Sequence, residues 1–95
     1  MEENLLTTAR VLIVDDQPSN VALLEGILHE EDFTSFRSVT DSREVLSAVI
    51  EYVPDLILLD LQMPFLNGFE ILQQLRACVP PNDFLPILVD QKSVV

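Results

Sequence analysis

The sequence predicts an α/β protein with a doubly wound parallel sheet, and three observations lead to that prediction. Two uninterrupted aliphatic runs, Val11–Val14 and Leu56–Leu59, have the length and composition of strands that are buried on both faces. Helical patterns alternate with the strand patterns, which gives the order β-α-β-α-β-α-β along the chain. The connections are short, as expected for right-handed crossovers between parallel strands.

The composition limits the size of the protein and the partners that suit it. A chain of 95 residues is expected to form a single domain over residues 1–95. Its net charge of −11 disfavours binding to nucleic acid or anionic membranes, and suits a divalent cation or a basic partner. No aliphatic run approaches the ~20 residues that span a bilayer, and Met1–Asn4 lacks the features of a signal peptide. The single cysteine, Cys78, cannot form a disulfide within the chain, which suits a reducing compartment. Together these features lead us to expect a cytoplasmic protein.

The first strand and helix are indicated by the residues around the first aliphatic run. The strand covers Arg10–Val14 and ends in two acidic residues, Asp15 and Asp16. Pro18 stands near the first position of the helix that follows, where proline is favoured. Four residues at helical spacing predict the apolar face of that helix: Leu23, Leu24, Ile27 and Leu28.

The remaining elements are indicated by turn residues and by apolar spacing. Thr34–Val39 is rich in β-forming residues and polar on one side, as expected of an edge strand. Both Asp41–Glu44 and Asn67–Glu70 have the spacing of a capping box at the start of a helix. The apolar faces of the second and third helices are predicted at Val45, Leu46, Val49 and Ile50, and at Phe69, Leu72 and Leu75. Breaker-rich residues 79–83 lead into a fourth strand, Leu85–Val89.

The second aliphatic run ends in Asp60, at the edge where open α/β sheets bind their ligands. From this stretch alone, an equally good interpretation is that Asp60 only starts a turn. The two most apolar strands should be neighbours, however, so Asp15, Asp16 and Asp60 are expected to meet in one crevice. A divalent cation would relieve the repulsion between them, and Mg²⁺ prefers carboxylates, carbonyls and waters. Gly68, near the start of the third helix, is expected to serve close packing or backbone freedom.

A family resemblance rests on three segments in order: Val11–Pro18, Pro54–Pro64 and Asn67–Glu70. Together they resemble the receiver domain of two-component response regulators, over roughly residues 9–89. The resemblance implies a flavodoxin-like sheet with strand order 2-1-3-4-5. It also implies a signalling switch whose partner is a histidine kinase or a phosphotransfer protein.

The resemblance assigns roles to four residues of the crevice. Asp60 would be the phosphoacceptor, attacking the phosphoryl group on the partner's phosphohistidine. Asp60 would also be a ligand of Mg²⁺, together with Asp16, which would bind the ion directly, and Asp15, which would bind it largely through water. The main-chain carbonyl of Gln62 would complete the protein's share of the coordination.

The end of the chain departs from the receiver pattern. Receivers have a serine or threonine after the fourth strand, whereas Val89 is followed by Asp90 and no hydroxyl comes before Ser93. They also have a lysine after a fifth strand, and the single lysine here, Lys92, comes almost directly after the fourth. We expect a truncated domain that lacks the last strand and helices, or one that lacks residues between Val89 and Asp90. The exposed fourth strand would favour marginal stability and a homodimer or domain-swapped dimer.

Two other functions stay open beside the phosphorelay switch. A truncated receiver could act as a docking module without phosphotransfer, which an Asp60→Asn variant would distinguish. Enzymes that form an aspartyl phosphate place a second aspartate two residues after the nucleophile, where this chain has Gln62, so we do not expect an enzyme. A Rossmann-type nucleotide site is disfavoured because no glycine-rich loop follows the first strand.

Overall fold

A parallel four-stranded sheet with three helices forms the centre of this computed structural model, which describes residues 8–80 and 83–89. In chain order the elements are β1 Arg10–Val14, α1 Pro18–Glu30, β2 Ser35–Val39, α2 Val45–Tyr52, β3 Leu56–Asp60, α3 Gly68–Cys78 and β4 Leu85–Val89. The strand order is β2-β1-β3-β4, and each neighbouring pair is parallel. The predicted fold class is therefore confirmed.

The two aliphatic strands lie at the centre of the sheet and are covered on both faces. Alternate residues of β1 and β3 point to opposite sides, as the pleat of a strand requires. Leu12 and Ile57 pack with α2 and α3 on one side, while Val11 and Ile13 pack with α1 on the other. All four of these side chains are fully buried. Helices on both faces make the sheet doubly wound, and they leave its carboxyl edge open for a site.

Two of the predicted helix starts are observed, and the third has a different structure. Pro18 is the first residue of α1, and Asn67 and Glu70 form a complete capping box at the start of α3. The capping box predicted for Asp41–Glu44 was wrong. The Asp41 carboxylate accepts from the backbone N–H of Arg43 at 2.9 Å and also binds its guanidinium group. Residues 42–44 therefore form a 3₁₀ turn, and the α-helix begins only at Val45.

The apolar face of α1 is only partly buried. Val21 and Leu28 pack against the sheet, whereas Leu23 is 58% exposed and Ile27 is 48% exposed. Helical spacing predicts which residues share a face but not how much of that face another element covers. Val21, Leu24 and Leu28 stand at helical spacing and form the stripe of α1 that packs on the sheet. Leu23 and Ile27 lie to one side of this stripe and are left exposed.

Two residues predicted to lie on the inner faces of α2 and α3 are exposed. Ile50 is 62% exposed in α2, and Phe69 is 57% exposed in the first turn of α3. The buried positions of α3 are Gly68, Ile71 and Leu75. Of the predicted face residues Leu75 is buried and Leu72 is partly buried against the core, whereas Ile71 was not predicted. Gly68 packs against the sheet end, so the inner face of α3 runs from Gly68 through Ile71 to Leu75, and Phe69 points away from it.

In the part of the chain that the structure describes, β4 stands at the edge of the sheet, as expected for the fourth strand. Among the described residues β4 pairs with β3 alone, and Leu85 is 62% exposed. The predictions about Ser93, Lys92 and the Val89–Asp90 junction concern residues outside the described ranges. None of the helices within the described residues is long and apolar enough to cross a membrane.

Candidate functional site

Three carboxylates meet at the carboxyl edge of the sheet. The last paired residues of β1 and β3 in their common register are Val14 and Leu59, so the strands deliver Asp15 and Asp60 side by side. One carboxylate oxygen each from Asp15, Asp16 and Asp60 lies within 4.8 Å of the others. Asp15 is 1% exposed and Asp60 is 5% exposed, while Asp16 is half-buried.

The two buried carboxylates are oriented by the backbone that follows them. Asp15 accepts a hydrogen bond from the N–H of Gln17 at 2.9 Å, and Asp60 accepts one from the N–H of Gln62 at 3.1 Å. Each aspartate thus starts a turn of the kind that short polar side chains favour. The turn interpretation of Asp60 and the site interpretation are therefore both compatible with the structure.

The second oxygen of Asp15, Oδ2, is buried and has no hydrogen-bond partner among the described residues. A buried carboxylate oxygen without a partner is costly, and such an oxygen calls for an ion or a water. The donor set at this point consists of carboxylate oxygens from three residues. Mg²⁺ prefers hard oxygen ligands of this kind, so the residues present fit a magnesium ion.

An open cleft of about 480 Å³ adjoins the carboxylates. Its walls are formed by Asp16 and by the loop between β3 and α3: Leu61, Gln62, Met63, Pro64 and Asn67. A ligand in this cleft would contact the half-buried Asp16 and the backbone of the loop. Two of the four predicted site residues, Asp16 and Gln62, therefore line the space in which a ligand would lie.

Gly68 allows the start of α3 to approach the backbone of the cluster. A Cβ atom added to Gly68 would lie 2.6 Å from the main-chain oxygen of Asp60 and 3.0 Å from the Cα of Leu61. The Gly68 N–H also donates to the Leu61 carbonyl at 3.1 Å. Its φ is not positive, so of the two predicted roles close packing is the one observed.

Ser42 is a residue of the site that sequence reasoning missed. Its side chain is 3% exposed, and its hydroxyl donates to the Pro64 carbonyl at 2.7 Å and accepts from the Leu66 N–H at 3.1 Å. These contacts join positions 22 and 24 residues apart. The spacing of neighbouring residues cannot predict a contact between Ser42 and this loop. The sequence of Asp41–Glu44 suggested only a helix cap.

Comparison with known proteins agrees with this geometry. The family model of the response regulator receiver domain matches residues 11–89. The DNA-binding response regulator MtrA of Mycolicibacterium smegmatis is 43% identical over 68 residues, which are 72% of this chain and 29% of that protein. The response regulator PleD of Caulobacter vibrioides is 38% identical over 82 residues, which are 86% of this chain and 18% of that protein. The chain thus spans less than a third of the length of these relatives.

The fold is also found among solved structures. The response regulator domain of Thermotoga maritima CheB is 31% identical, with a TM-score of 0.77. The superposition covers 87% of this chain and 60% of that chain. The N-terminal domain of a receiver protein from Methanoculleus marisnigri is 26% identical, also with a TM-score of 0.77, over 84% of this chain and 64% of that one.

Proposed function

Because this chain belongs to the response regulator receiver domain family, and hence to two-component signalling, we propose that Asp60 is its phosphoacceptor. The donor would be the phosphohistidine of a histidine kinase or phosphotransfer protein. The observation that carries the proposal is the position of Asp60. It ends the central strand β3, is almost fully buried, and lies within 4.8 Å of two further carboxylates. A rigid, buried strand thus holds the nucleophile close to Asp16, which lines the open cleft.

The transfer needs no general base, because an ionised carboxylate is already a nucleophile. A carboxylate oxygen of Asp60 forms a bond to phosphorus, and the bond from phosphorus to the partner's imidazole nitrogen breaks. That nitrogen then takes up a proton from solvent. The Gln62 N–H, which donates to Asp60 Oδ1, keeps the carboxylate in one orientation during the attack.

The charge of the site is the reason to propose magnesium. Asp15 and Asp16 would repel the incoming phosphoryl oxygens, and Mg²⁺ would neutralise both sets of negative charge. We propose that Asp16 holds the ion directly, Asp15 largely through water, and Asp60 and the Gln62 carbonyl complete the set. The unpartnered Oδ2 of Asp15 supports this assignment.

The test is intact mass after incubation with acetyl phosphate and Mg²⁺. We expect a gain of one phosphoryl group that is lost in Asp60→Asn and in a chelated sample. Asp55→Asn is the matched control, because Asp55 lies just before β3 at the end opposite Asp60. The Asp55 carboxylate accepts a hydrogen bond from the Arg10 N–H, and the amide oxygen of asparagine can accept the same bond. It should be phosphorylated like the wild type. A folded wild-type chain that gains no mass would refute the phosphoacceptor proposal and leave the docking module.

We also propose that the chain is a single domain and that it pairs with a second copy through β4. Leu85 and Ile87 are in register with Leu56 and Leu58, which belong to the face that packs on α1. Both β4 side chains are exposed, so this face is apolar and open at its edge.

Self-association can be tested with a charge on that face. Ile87→Lys should shift sedimentation from dimer to monomer, since a lysine would have to be buried in the contact. Phe69→Lys places the same charge on an exposed apolar position of α3 and should leave the dimer intact. A wild type that sediments as a monomer at all concentrations would contradict the proposal. The net charge of −11 supports the further proposal that this part of the protein does not bind nucleic acid.

A further inference from the structure

The loop between β3 and α3 contains a strained turn. Phe65 has φ of 74°, a region that bulky residues rarely occupy. The Leu66 N–H donates to the Pro64 carbonyl at 2.9 Å, which closes a three-residue γ-turn around Phe65. The form of this turn with positive φ is rare and costs conformational energy. Such a turn persists only when its surroundings hold it.

The turn is held from outside by the 3₁₀ turn that precedes α2. The Ser42 hydroxyl binds both ends of the γ-turn, because it donates to the Pro64 carbonyl and accepts from the Leu66 N–H. The Arg43 guanidinium lies over the Phe65 ring at 3.8 Å and is itself held by two hydrogen bonds from its nitrogens to the Asp41 carboxylate. These contacts fix the centre and both ends of the strained turn.

The same turn is continuous with the candidate site. Pro64, which accepts from Ser42, also forms part of the cleft wall. Two residues earlier in the loop, Gln62 donates its N–H to Asp60. A displacement of Pro64 would therefore move the backbone that carries the Gln62 carbonyl and shapes the cleft beside Asp16.

We propose that Ser42 is a positioning residue for the site: its hydroxyl fixes the loop that presents the Gln62 carbonyl to the cation. This proposal rests on the proposed function, because it concerns the same cleft. Ser42 touches neither the carboxylates nor a ligand, and it acts through the Pro64 carbonyl and the Leu66 N–H. The simpler alternative is that the hydroxyl only satisfies its own hydrogen bonds in a buried place.

The test compares Ser42→Ala with Ser47→Ala. Ser47 is the matched control because its hydroxyl also donates to a backbone carbonyl, that of Glu44 at 3.0 Å, but on an exposed face away from the loop. Three quantities are measured: the dissociation constant for Mg²⁺ by calorimetry, the exchange rate of the Leu66 amide by NMR, and the rate of phosphorylation by acetyl phosphate. Thermal unfolding shows whether each variant is folded.

In Ser42→Ala we expect the Leu66 amide to exchange about tenfold faster, the effect of losing one hydrogen bond. Mg²⁺ should bind about tenfold more weakly, the lower end of the loss on removing an outer partner of a metal ligand, because Ser42 holds Pro64, two residues beyond Gln62. Phosphorylation should be slower but still end on Asp60, whereas Ser47→Ala should match the wild type throughout. Should Ser42→Ala fail to fold, Ser42→Cys keeps a similar volume with a weak donor and acceptor, and should weaken Mg²⁺ binding in the same direction.

The outcomes separate the two proposals. Faster exchange at Leu66 with unchanged Mg²⁺ affinity would overturn the positioning role, since the hydroxyl would then serve only local packing. A wild type that binds no Mg²⁺ would overturn it as well. A wild type that binds Mg²⁺ but accepts no phosphoryl group would refute the phosphoacceptor function alone, and the Mg²⁺ and exchange measurements would still decide the role of Ser42.

Discussion

Replacing Gly68 by alanine should damage the site by moving two backbones apart. The added Cβ would lie 2.6 Å from the Asp60 main-chain oxygen, whereas ordinary contact begins near 3.4 Å. The start of α3 and the end of β3 must therefore separate by most of that difference, and both atoms nearest the new Cβ belong to backbone rather than to flexible side chains. Overpacking of this kind costs about 1–3 kcal/mol.

The effect on phosphorylation should exceed the effect on stability. Asp60 is the residue displaced, and an error of about 1 Å in the position of a reacting group can lower a rate about a hundredfold. We expect Gly68→Ala to lose about 1–2 kcal/mol in urea unfolding, since alanine's better helix propensity offsets part of the strain. Its phosphorylation by acetyl phosphate, followed by intact mass, should be at least about tenfold slower.

Gly26→Ala is the matched control for this substitution. Gly26 lies within α1, and a Cβ added there would meet nothing within 4 Å. This variant should gain about 0.5–1 kcal/mol from helix propensity and be phosphorylated at the wild-type rate. If Gly68→Ala proved as stable and as reactive as the wild type, the close approach of Gly68 to the Asp60 main chain would not matter for function, contrary to this prediction.

Three further predictions concern the backbone, an ion pair and the metal. Val53 directly follows α2 and has φ of 52°, so Val53→Asn should raise the free energy of unfolding by about 0.5–1 kcal/mol in urea titrations. The Arg43 side-chain hydrogen bond lowers the pKa of Asp41 below 3.8. Its stabilising contribution is therefore complete above the unfolded-state pKa and lost as the pH falls through the folded one. An NMR titration of Arg43→Gln should return the Asp41 pKa towards 3.8; an unchanged pKa would contradict the assignment. Mg²⁺ at a hundredfold excess over its dissociation constant should stabilise the wild type by about 2.7 kcal/mol in thermal unfolding. Asp16→Asn should lose most of that gain, and an equal gain in both proteins would place the ion elsewhere.

The strands and the carboxylate cluster could be predicted because their signals are local. The run from Leu56 to Leu59 is apolar without interruption, which is typical of a strand buried on both faces. Two such strands had to be neighbours, and parallel strands end at the same edge. The residue following each run, Asp15 or Asp60, could thereby be placed at that edge without any long-range information.

Most of the errors and omissions depend on contacts between distant parts of the chain, whereas the wrong capping box at Asp41–Glu44 depends on a local contact of Asp41 with Arg43. Leu23 and Ile27 were predicted on one face with Leu28, but spacing cannot show how much of that face the rest of the protein covers. The contact of Ser42 with the loop depends on how the turn before α2 packs against residues more than twenty positions away. The positive φ of Phe65 carries no sequence signal, because glycine or asparagine would be expected at such a position.

The register of β1 has a consequence for how the protein folds. Val11–Val14 pairs with β2 on one side and with β3 on the other, so the pairing of β1 cannot be completed until residues as far apart as Val11 and Leu56 have met. These contacts bridge long loops and should form the folding nucleus, with the rest of the sheet condensing around them. Leu12 and Ile57 are paired residues of this nucleus, and we expect Ile57→Val to slow folding more than it speeds unfolding. The same event would bring Asp15 beside Asp60, so we expect the charged crevice to be assembled in the rate-limiting step rather than after it.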